Sequence, residues 1–478
     1  MMSLLSVVLV SALAWAEQPT PGVPAADDAL AGERAAQPAE PAASMVAHAF
    51  VDKTLSNGQQ VTILSDPDMP VVATQTWVQV GSAHEAPSEA GFAHLFEHLM
   101  FGDTTSHEGE SYARHHQING GSENAYTSFD NTVYVSAIQP EAHDAVLAFE
   151  ADRLVNLVLD QDNLDNEKKI VTEELRLRTE NEPFARLLGP VLGTLFGDHP
   201  YGRSPVGTRE DIQGADLELV RKFYDGYYHP ANLHLVIVGP VHAETTLARV
   251  ESLFGAIDKQ RLEPAAVPAL ATLETGSRKV LKEDLPPIKV AALVYYGPRR
   301  TDPDHAAYTV MTEMLAGGEL DRFSEELVQR QGKAIEAMTV STELAGGSIL
   351  AFGSVSLALR RTGKAFRLLH GAKDVLAGSD WMTAENLETV RRRMLKDELN
   401  RSYYAESMAE AIGKAQAWEG DASLAVEGSA AAIDGVTLEQ VRAAWRTYVM
   451  DAQPIEILVK KGKAAAPPAE IVDAGGAQ

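Results

Sequence analysis

Two histidines and a glutamate form the group in this sequence with the clearest chemical potential. Residues 94–98 read HLFEH, which places His94 and His98 four residues apart with Glu97 between them. On a helix, both imidazoles lie on one face and can bind the same metal ion, and the Glu97 carboxylate leans over that face. The order H-x-x-E-H is typical of one class of hydrolytic zinc sites. It predicts a helix over 91–101 that carries one zinc ion as cofactor.

A catalytic zinc ion takes three protein ligands and keeps a fourth position open for water. The candidate third ligand is Glu174, on a helix predicted over 163–179. Glu167 lies two turns earlier on the same face and is predicted to orient a site histidine or the water. Glu173 competes for the ligand role, but it points about 100° away around the helix. The apolar positions predicted for this helix are Leu164, Ile170, Val171, Leu175 and Leu177.

The elements around these residues follow one long-period repeat. Gly214 matches Gly435 and Tyr227 matches Tyr448, and four further identities share the same offset of 221 residues (448 − 227). An apolar strand follows each copy, at 233–238 and 455–459. The repeat predicts an α+β fold of two homologous domains in tandem, each an antiparallel-rich sheet packed with helices. We place the first domain at 47–261, a Pro/Ala-rich linker at 262–274 and the second domain at 275–463.

Several segments resemble the pitrilysin and insulinase family of inverzincin peptidases. They are GSAHE at 81–85, GFA at 91–93, LMFG at 99–102 and NAYTSFDNT at 124–132, beside the H-x-x-E-H motif and the two downstream glutamates. The chain is similar to the half-length type that includes the β-subunit of mitochondrial processing peptidase and bacterial relatives. The resemblance covers nearly all of 47–463. It implies half of a clam-shell and an edge strand that binds substrate backbone, here at Asn124, Ala125, Tyr126 and Thr127.

A mechanism follows from the charges of the predicted site. Two neutral histidines, one carboxylate and Zn²⁺ leave a charge of about +1, which lowers the pKa of bound water towards ~7. Glu97 would take the proton as this water attacks a peptide carbonyl, and would pass it to the leaving amine. The prediction is therefore a zinc endopeptidase with His94, His98 and Glu174 as ligands. Glu97 and Glu167 are its catalytic residues, and the family resemblance implies that its substrates are peptides or unfolded segments.

The second copy differs from the first copy in its metal motif and departs from the family at one further place. It contains no H-x-x-E-H, so it cannot form a second site of this kind. Active single-chain relatives carry an Arg and a Tyr near the substrate, after a glycine-containing strand in the C-terminal half. The corresponding stretch here, 346–353, has neither residue. Arg401, Tyr403 and Tyr404 lie elsewhere, on a predicted helix. The resemblance implies a homologous partner subunit that supplies these residues in a heterodimer. A homodimer is the alternative.

Composition excludes several other classes of function. The net charge is −26, which argues against nucleic-acid binding, and the absence of cysteine excludes disulfides, thiol catalysis and thiolate metal sites. The apolar run at 4–14, followed by Ala-Trp-Ala at 14–16, predicts a signal peptide over 1–16 and export to the periplasm or beyond. Residues 17–46 and 464–478 have the composition of disordered segments. No later run is long enough to span a bilayer, so no stable membrane insertion is expected.

Three functions remain open from the sequence. The first is a general zinc endopeptidase of the periplasm, and the second is a non-catalytic assembly subunit, whose metal motif would usually be degraded. The third is a dedicated maturase that cuts one peptide precursor. The acidic chain either favours basic peptides or only keeps an exported protein soluble.

Overall fold

The structure is a computed structural model of the 478-residue chain. It describes residues 49–181, 187–258, 266–283, 286–317, 321–357, 362–378, 380–427 and 429–462. The predicted signal peptide, the segment 17–46 and the tail 464–478 lie outside these described residues. In the part that is described, no helix is both long enough and apolar enough to cross a membrane.

The described residues form two sheets. The first has the strand order β1-β2-β6-β3-β5-β4, and the second has the order β7-β11-β8-β10-β9. The strands are β1 Ala49–Thr54, β2 Gln60–Ser65, β3 Val72–Val78, β4 Ser122–Thr127, β5 Thr132–Ile138, β6 Leu233–Gly239, β7 Arg278–Glu283, β8 Ile288–Gly297, β9 Glu336–Leu344, β10 Gly347–Leu357 and β11 Ile455–Lys461. Neighbours are antiparallel except for the parallel pairs β2–β6 and β7–β11. The predicted α+β fold is confirmed.

Helices pack on both sheets. In the first half they are α1 Phe92–Leu99, α2 Glu110–Ile118, α3 His143–Asn156, α4 Gln161–Asn181, α5 Leu188–Phe196, α6 Arg209–Gly214, α7 Leu217–Tyr227 and α8 Ala243–Phe254. In the second half they are α9 His305–Ala316, α10 Arg322–Ser324, α11 Thr362–Ala377, α12 Ala384–Ser402, α13 Ala405–Glu419, α14 Leu424–Glu427, α15 Ser429–Asp434 and α16 Leu438–Trp445. α10 and α16 continue as π-helical turns over Glu325–Arg330 and Arg446–Met450.

The two halves share one topology. The order β2-β6-β3-β5-β4 repeats as β7-β11-β8-β10-β9, with the same sequence of one parallel and three antiparallel pairs. The repeat seen in the sequence falls on α7 with β6 and on α16 with β11. The structure thus contains two homologous α+β units in tandem. The exact boundaries at 261 and 275 stay predictions.

Each half covers one face of the other's sheet with a helix. One face of the first sheet packs on its own helices, but the other face packs on α13, through Met408, Ala409 and Ile412. In the same way, α5 covers one face of the second sheet through Leu192 and Phe196. The repeat offset of 221 residues carries α5 onto α13, so the exchange is reciprocal. Each half therefore depends on the other to bury its sheet.

One buried hydrogen-bond network joins the halves beside β4. The hydroxyl of Tyr201 donates to Asp130 at 2.6 Å, and the backbone N–H of Ala345, from the β9–β10 turn, donates to the same carboxylate at 2.9 Å. Burial raises the pKa of Asp130 to about 6, although these two hydrogen bonds act in the opposite direction. The turn of the second sheet is thereby fixed to the loop that follows β4.

The prediction for the apolar side of α4 is partly wrong. Leu164, Val171 and Leu175 are buried as expected, but Ile170 and Leu177 are each 45% exposed. At 100° per residue, the first three lie on one side of the line through the two site glutamates, while Ile170 and Leu177 lie on the other. Only the first side meets the core, so the apolar stripe that packs is narrower than the sequence pattern suggested.

Candidate metal centre

The N-terminus of α1 is held by a buried carboxyl group. Glu85 accepts hydrogen bonds from the backbone N–H groups of Gly91 at 2.9 Å and Ala93 at 2.8 Å, so it satisfies donors that a helix start leaves unpaired. Gly91 adopts a left-handed φ of 83° at this point. Burial raises the pKa of Glu85 to about 8, against the two backbone hydrogen bonds and the charge of Arg203. The sequence singled out 81–85 only as a family segment and missed this role.

The rest of α1 rests on a buried polar network. The hydroxyl of Tyr134 donates to the Phe96 carbonyl at 3.0 Å, which fixes the middle of the helix to β5. The Arg153 guanidinium lies 4.4 Å from the Tyr134 ring centroid and donates to Glu150 at 2.6 Å. Both members of this ion pair are buried. The ion pair thus packs against the tyrosine ring whose hydroxyl holds α1.

Three ligand atoms from two helices converge beside α1. Glu174 Oε2 lies 3.2 Å from His98 Nε2 and 3.6 Å from His94 Nε2, and the three donor groups all lie within 4.8 Å of one another. Two ligands bound tetrahedrally to zinc at ~2.0–2.1 Å are separated by about 3.4 Å. Two imidazoles and one carboxylate at these separations are a donor set that fits a zinc ion.

The two neighbouring glutamates take different positions. Glu167 Oε2 lies 3.8 Å from His98 Nδ1, the ring nitrogen that does not face Glu174. Glu173 points away, with its side chain 55% exposed and bound to Arg176 at 2.6 Å. The structure thus brings Glu174, and not Glu173, to the histidines. It places Glu167 next to His98, at the ring nitrogen opposite the one that faces Glu174.

The field at the site is negative. Burial acts to lower the pKa of His98, but the hydrogen bond with Glu174 and the charges of Glu174, Glu97 and Glu167 outweigh it, so the pKa is raised. The pKa of Glu167 is also raised, because burial outweighs the opposite effect of the His98 charge. A divalent cation would relieve the repulsion among these carboxylates.

Strand β4 borders the site and lies at the edge of the first sheet, with no strand on its outer side among the described residues. Of the four predicted substrate-binding residues, Asn124 is exposed and Ala125 is buried in the core shared with α1. Tyr126 packs edge-to-face on Trp77, on the side covered by α13. The Thr127 hydroxyl donates to Glu97 Oε2 at 2.6 Å. The four residues therefore lie on the edge strand. Ala125 and Thr127 face α1, Tyr126 faces the side covered by α13, and Asn124 is exposed.

The family's Arg and Tyr pair is missing from the stretch 346–353, and Arg401, Tyr403 and Tyr404 lie further along the second half. Arg401 is in the last turn of α12 and contacts Glu398 at 3.4 Å. Tyr403 and Tyr404 follow the helix and are exposed. The structure does not bring these three residues into the histidine and glutamate cluster.

Comparison with known proteins gives a consistent assignment for both halves. Residues 60–209 match the family model described as insulinase, peptidase family M16, and residues 215–392 match the model described as the peptidase M16 inactive domain. The absence of a metal motif from the second half agrees with the second description.

Relatives and solved structures extend the match. A Helicobacter pylori protein named zinc protease PqqE is 30% identical over 319 residues, which cover 65% of this chain and 71% of the relative. A probable mitochondrial-processing peptidase subunit beta of Arabidopsis thaliana is 26% identical over 55% of this chain and 49% of its own length. The crystal structure of a protease from Helicobacter pylori has a TM-score of 0.77 at 24% identity, covering 86% of this chain and 99% of that one. The chain belongs to peptidase family M16, the insulinase family.

Proposed function

We propose that this chain is a zinc-dependent endopeptidase that hydrolyses peptides or unfolded segments. The observation that carries the proposal is the convergence of His94, His98 and Glu174, with Glu97 on the same helix face. The names of the relatives, which describe zinc proteases, support the same reaction. Among family members this combination of donors and a nearby carboxylate fits hydrolysis better than a purely structural metal, whose site would be closed by a fourth protein ligand.

The zinc ion would supply a Lewis acid that polarises the scissile carbonyl and makes water acidic enough to react near neutral pH. Glu97 would accept the proton of the attacking water and transfer it to the leaving amine. Glu167 would hold the His98 ring through Nδ1, which leaves Nε2 directed at the ion. Strand β4 would pair with the substrate backbone and align the peptide across α1.

Our proposal for the assembly is a dimer in which this chain contributes the metal-binding half. The second half has no H-x-x-E-H motif, and Arg401, Tyr403 and Tyr404 lie outside the metal cluster. A homologous partner subunit would then supply the missing substrate contacts, with a homodimer as the alternative. For the cellular location we propose the periplasm. A structural relative, the PqqL protease of Escherichia coli, is described as periplasmic, and its TM-score is 0.70 at 18% identity.

A non-catalytic assembly role is the second candidate, because most of the second half matches a model described as inactive. Glu97→Gln separates the two. If the chain is a peptidase, this variant should keep its zinc and lose at least ~100-fold in kcat, since general-base catalysis contributes about 10²–10⁴-fold. Glu110→Gln is the matched control, because Glu110 is an exposed glutamate on α2 that pairs only with Arg114 at 3.4 Å among the ion pairs described.

The assay is cleavage of an internally quenched peptide library by the full chain, alone and with any co-purifying partner. Zinc content is measured on the same samples. A chelator should abolish cleavage and added zinc should restore it. Turnover by zinc-loaded Glu97→Gln at the rate of the Glu110→Gln control would remove Glu97 from the role of base. Absence of cleavage from every wild-type sample would favour the assembly role.

A further inference from the structure

We propose that the Thr127 hydroxyl is a positioning group for the Glu97 carboxylate, so that the strand that takes the substrate also orients the base. This inference rests on the proposed function. It changes the role predicted for Thr127 from the sequence, where this residue was expected only to contact the substrate. Its side chain faces the helix that carries the histidines and Glu97.

The geometry of Thr127 favours one acceptor. Its Oγ1 lies 2.6 Å from Glu97 Oε2 and 3.5 Å from the Ala93 carbonyl, and the hydroxyl has a single proton to donate. A hydroxyl-to-carboxylate bond of 2.6 Å is in the range of charge-assisted hydrogen bonds. Thr127 is 4% exposed and β-branched, so its χ1 rotation is restricted. The donor therefore holds one carboxylate oxygen and limits the rotation of the other.

The backbone around Thr127 connects this contact to the substrate edge. Thr127 is the last residue of β4 and pairs with Thr132 of β5. Thr132 in turn donates its hydroxyl to the Val80 carbonyl at 2.9 Å, which anchors the inner side of the strand end. A peptide added along the outer edge would restrain the remaining side. Binding of substrate and orientation of Glu97 are thereby coupled through one residue.

Two substitutions at this position separate the hydroxyl from the bulk of the side chain. Thr127→Val keeps the shape and removes the donor, and Thr127→Ser keeps the donor. We expect Thr127→Val to lower kcat about 10–100-fold with KM within ~3-fold and with unchanged zinc content, since misplacing a general base forfeits part of its contribution. Thr127→Ser should restore kcat to within ~3-fold of wild type.

A binding measurement in the Glu97→Gln background supplies a readout that does not depend on turnover. If Thr127 acts through Glu97, adding Thr127→Val to Glu97→Gln should leave the Kd of a fluorescent peptide within ~2-fold and cause no further loss of kcat. Weakening of peptide binding by 10-fold or more would assign Thr127 to substrate contact instead. Equal kcat for Thr127→Val and wild type, or an equal loss in Thr127→Ser and Thr127→Val, would also overturn the inference. Failure of the proposed function is distinct, because then either the wild-type chain would cleave no peptide or zinc-loaded Glu97→Gln would turn over as fast as the Glu110→Gln control.

Discussion

Three glutamates on α4 should differ sharply in their effect on zinc affinity when each is changed to glutamine. Glu167 lies 3.8 Å from His98 Nδ1, so it acts through the ring, and partners of that kind are worth ~10–100-fold in affinity, or about 1.4–2.7 kcal/mol. Two full charges at that distance would interact by about 4 kcal/mol at an effective dielectric constant of ~20, which is an upper bound for a neutral ligand ring. Glu174→Gln should lower zinc affinity by more than ~100-fold, because Glu174 Oε2 lies 3.2 Å from His98 Nε2 and is one of the three donor atoms.

Glu173→Gln is the matched control for this series. Its side chain is 55% exposed and paired with Arg176, so its loss should change zinc affinity by less than ~2-fold. The assay is competition with a chromophoric chelator at fixed pH and ionic strength, with melting curves to check that each variant is folded. An effect of Glu173→Gln as large as that of Glu174→Gln would refute the assignment of the third ligand. Equal effects of Glu167→Gln and Glu174→Gln would refute the indirect role of Glu167.

Two further predictions concern stability. Gly413→Ala should destabilise the chain by about 1–3 kcal/mol in urea unfolding, because a Cβ on this residue of α13 would lie 2.0 Å from the buried Trp77 ring. The control is Gly371→Ala, in an open position on α11, which should be neutral or stabilising by up to ~1 kcal/mol. A similar change in stability in both variants would contradict the packing of α13 on the first sheet. Burial lowers the pKa of His234 to about 3, whereas the unfolded state takes up this proton below pH ~6.5. The free energy of unfolding therefore decreases as the pH is lowered from ~6.5 towards ~3. His234→Gln should reduce that slope by up to ~1.4 kcal/mol per pH unit between pH ~6 and ~4, and an unchanged slope would show that this histidine titrates normally.

The parts of the site that the sequence predicted are those set by local helix geometry. His94 and His98 are one turn apart, and Glu167 and Glu174 are two turns apart, so the spacing alone places each pair on one face. That the two faces meet is a tertiary fact; its expectation rests on the need of a catalytic zinc ion for a third protein ligand, and the family resemblance supports it. In the structure, Glu174 Oε2 lies 3.2 Å from His98 Nε2 and 3.6 Å from His94 Nε2.

The features that the sequence did not reveal depend on contacts between distant segments. Glu85 caps α1 only because the turn before it folds back, and a glutamate in a loop has no periodic signal. The direction of Thr127 depends on which face of β4 meets α1, which short alternation in a strand does not decide. The apolar character of Ile170 and Leu177 predicts that they are buried, but only a narrow stripe of α4 contributes to the core.

The reciprocal covering of the sheets was equally hidden. Both α5 and α13 have apolar positions that any amphipathic helix would show, and the pattern does not say which sheet they cover. The repeat predicted two homologous units that each pack with helices, and this is confirmed. The exchange of α5 and α13 between the units is a property of the assembled chain.

Zinc K-edge X-ray absorption on the purified full chain, combined with the zinc-to-protein ratio, tests the metal site itself. The proposed site predicts one zinc ion per chain, with two imidazole nitrogens and carboxylate oxygen at ~2.0–2.1 Å and an additional light-atom ligand. It also predicts that His94→Ala loses the ion. A chain that binds no zinc, or a signal that is unchanged in His94→Ala, would contradict the claim that His94, His98 and Glu174 hold the metal.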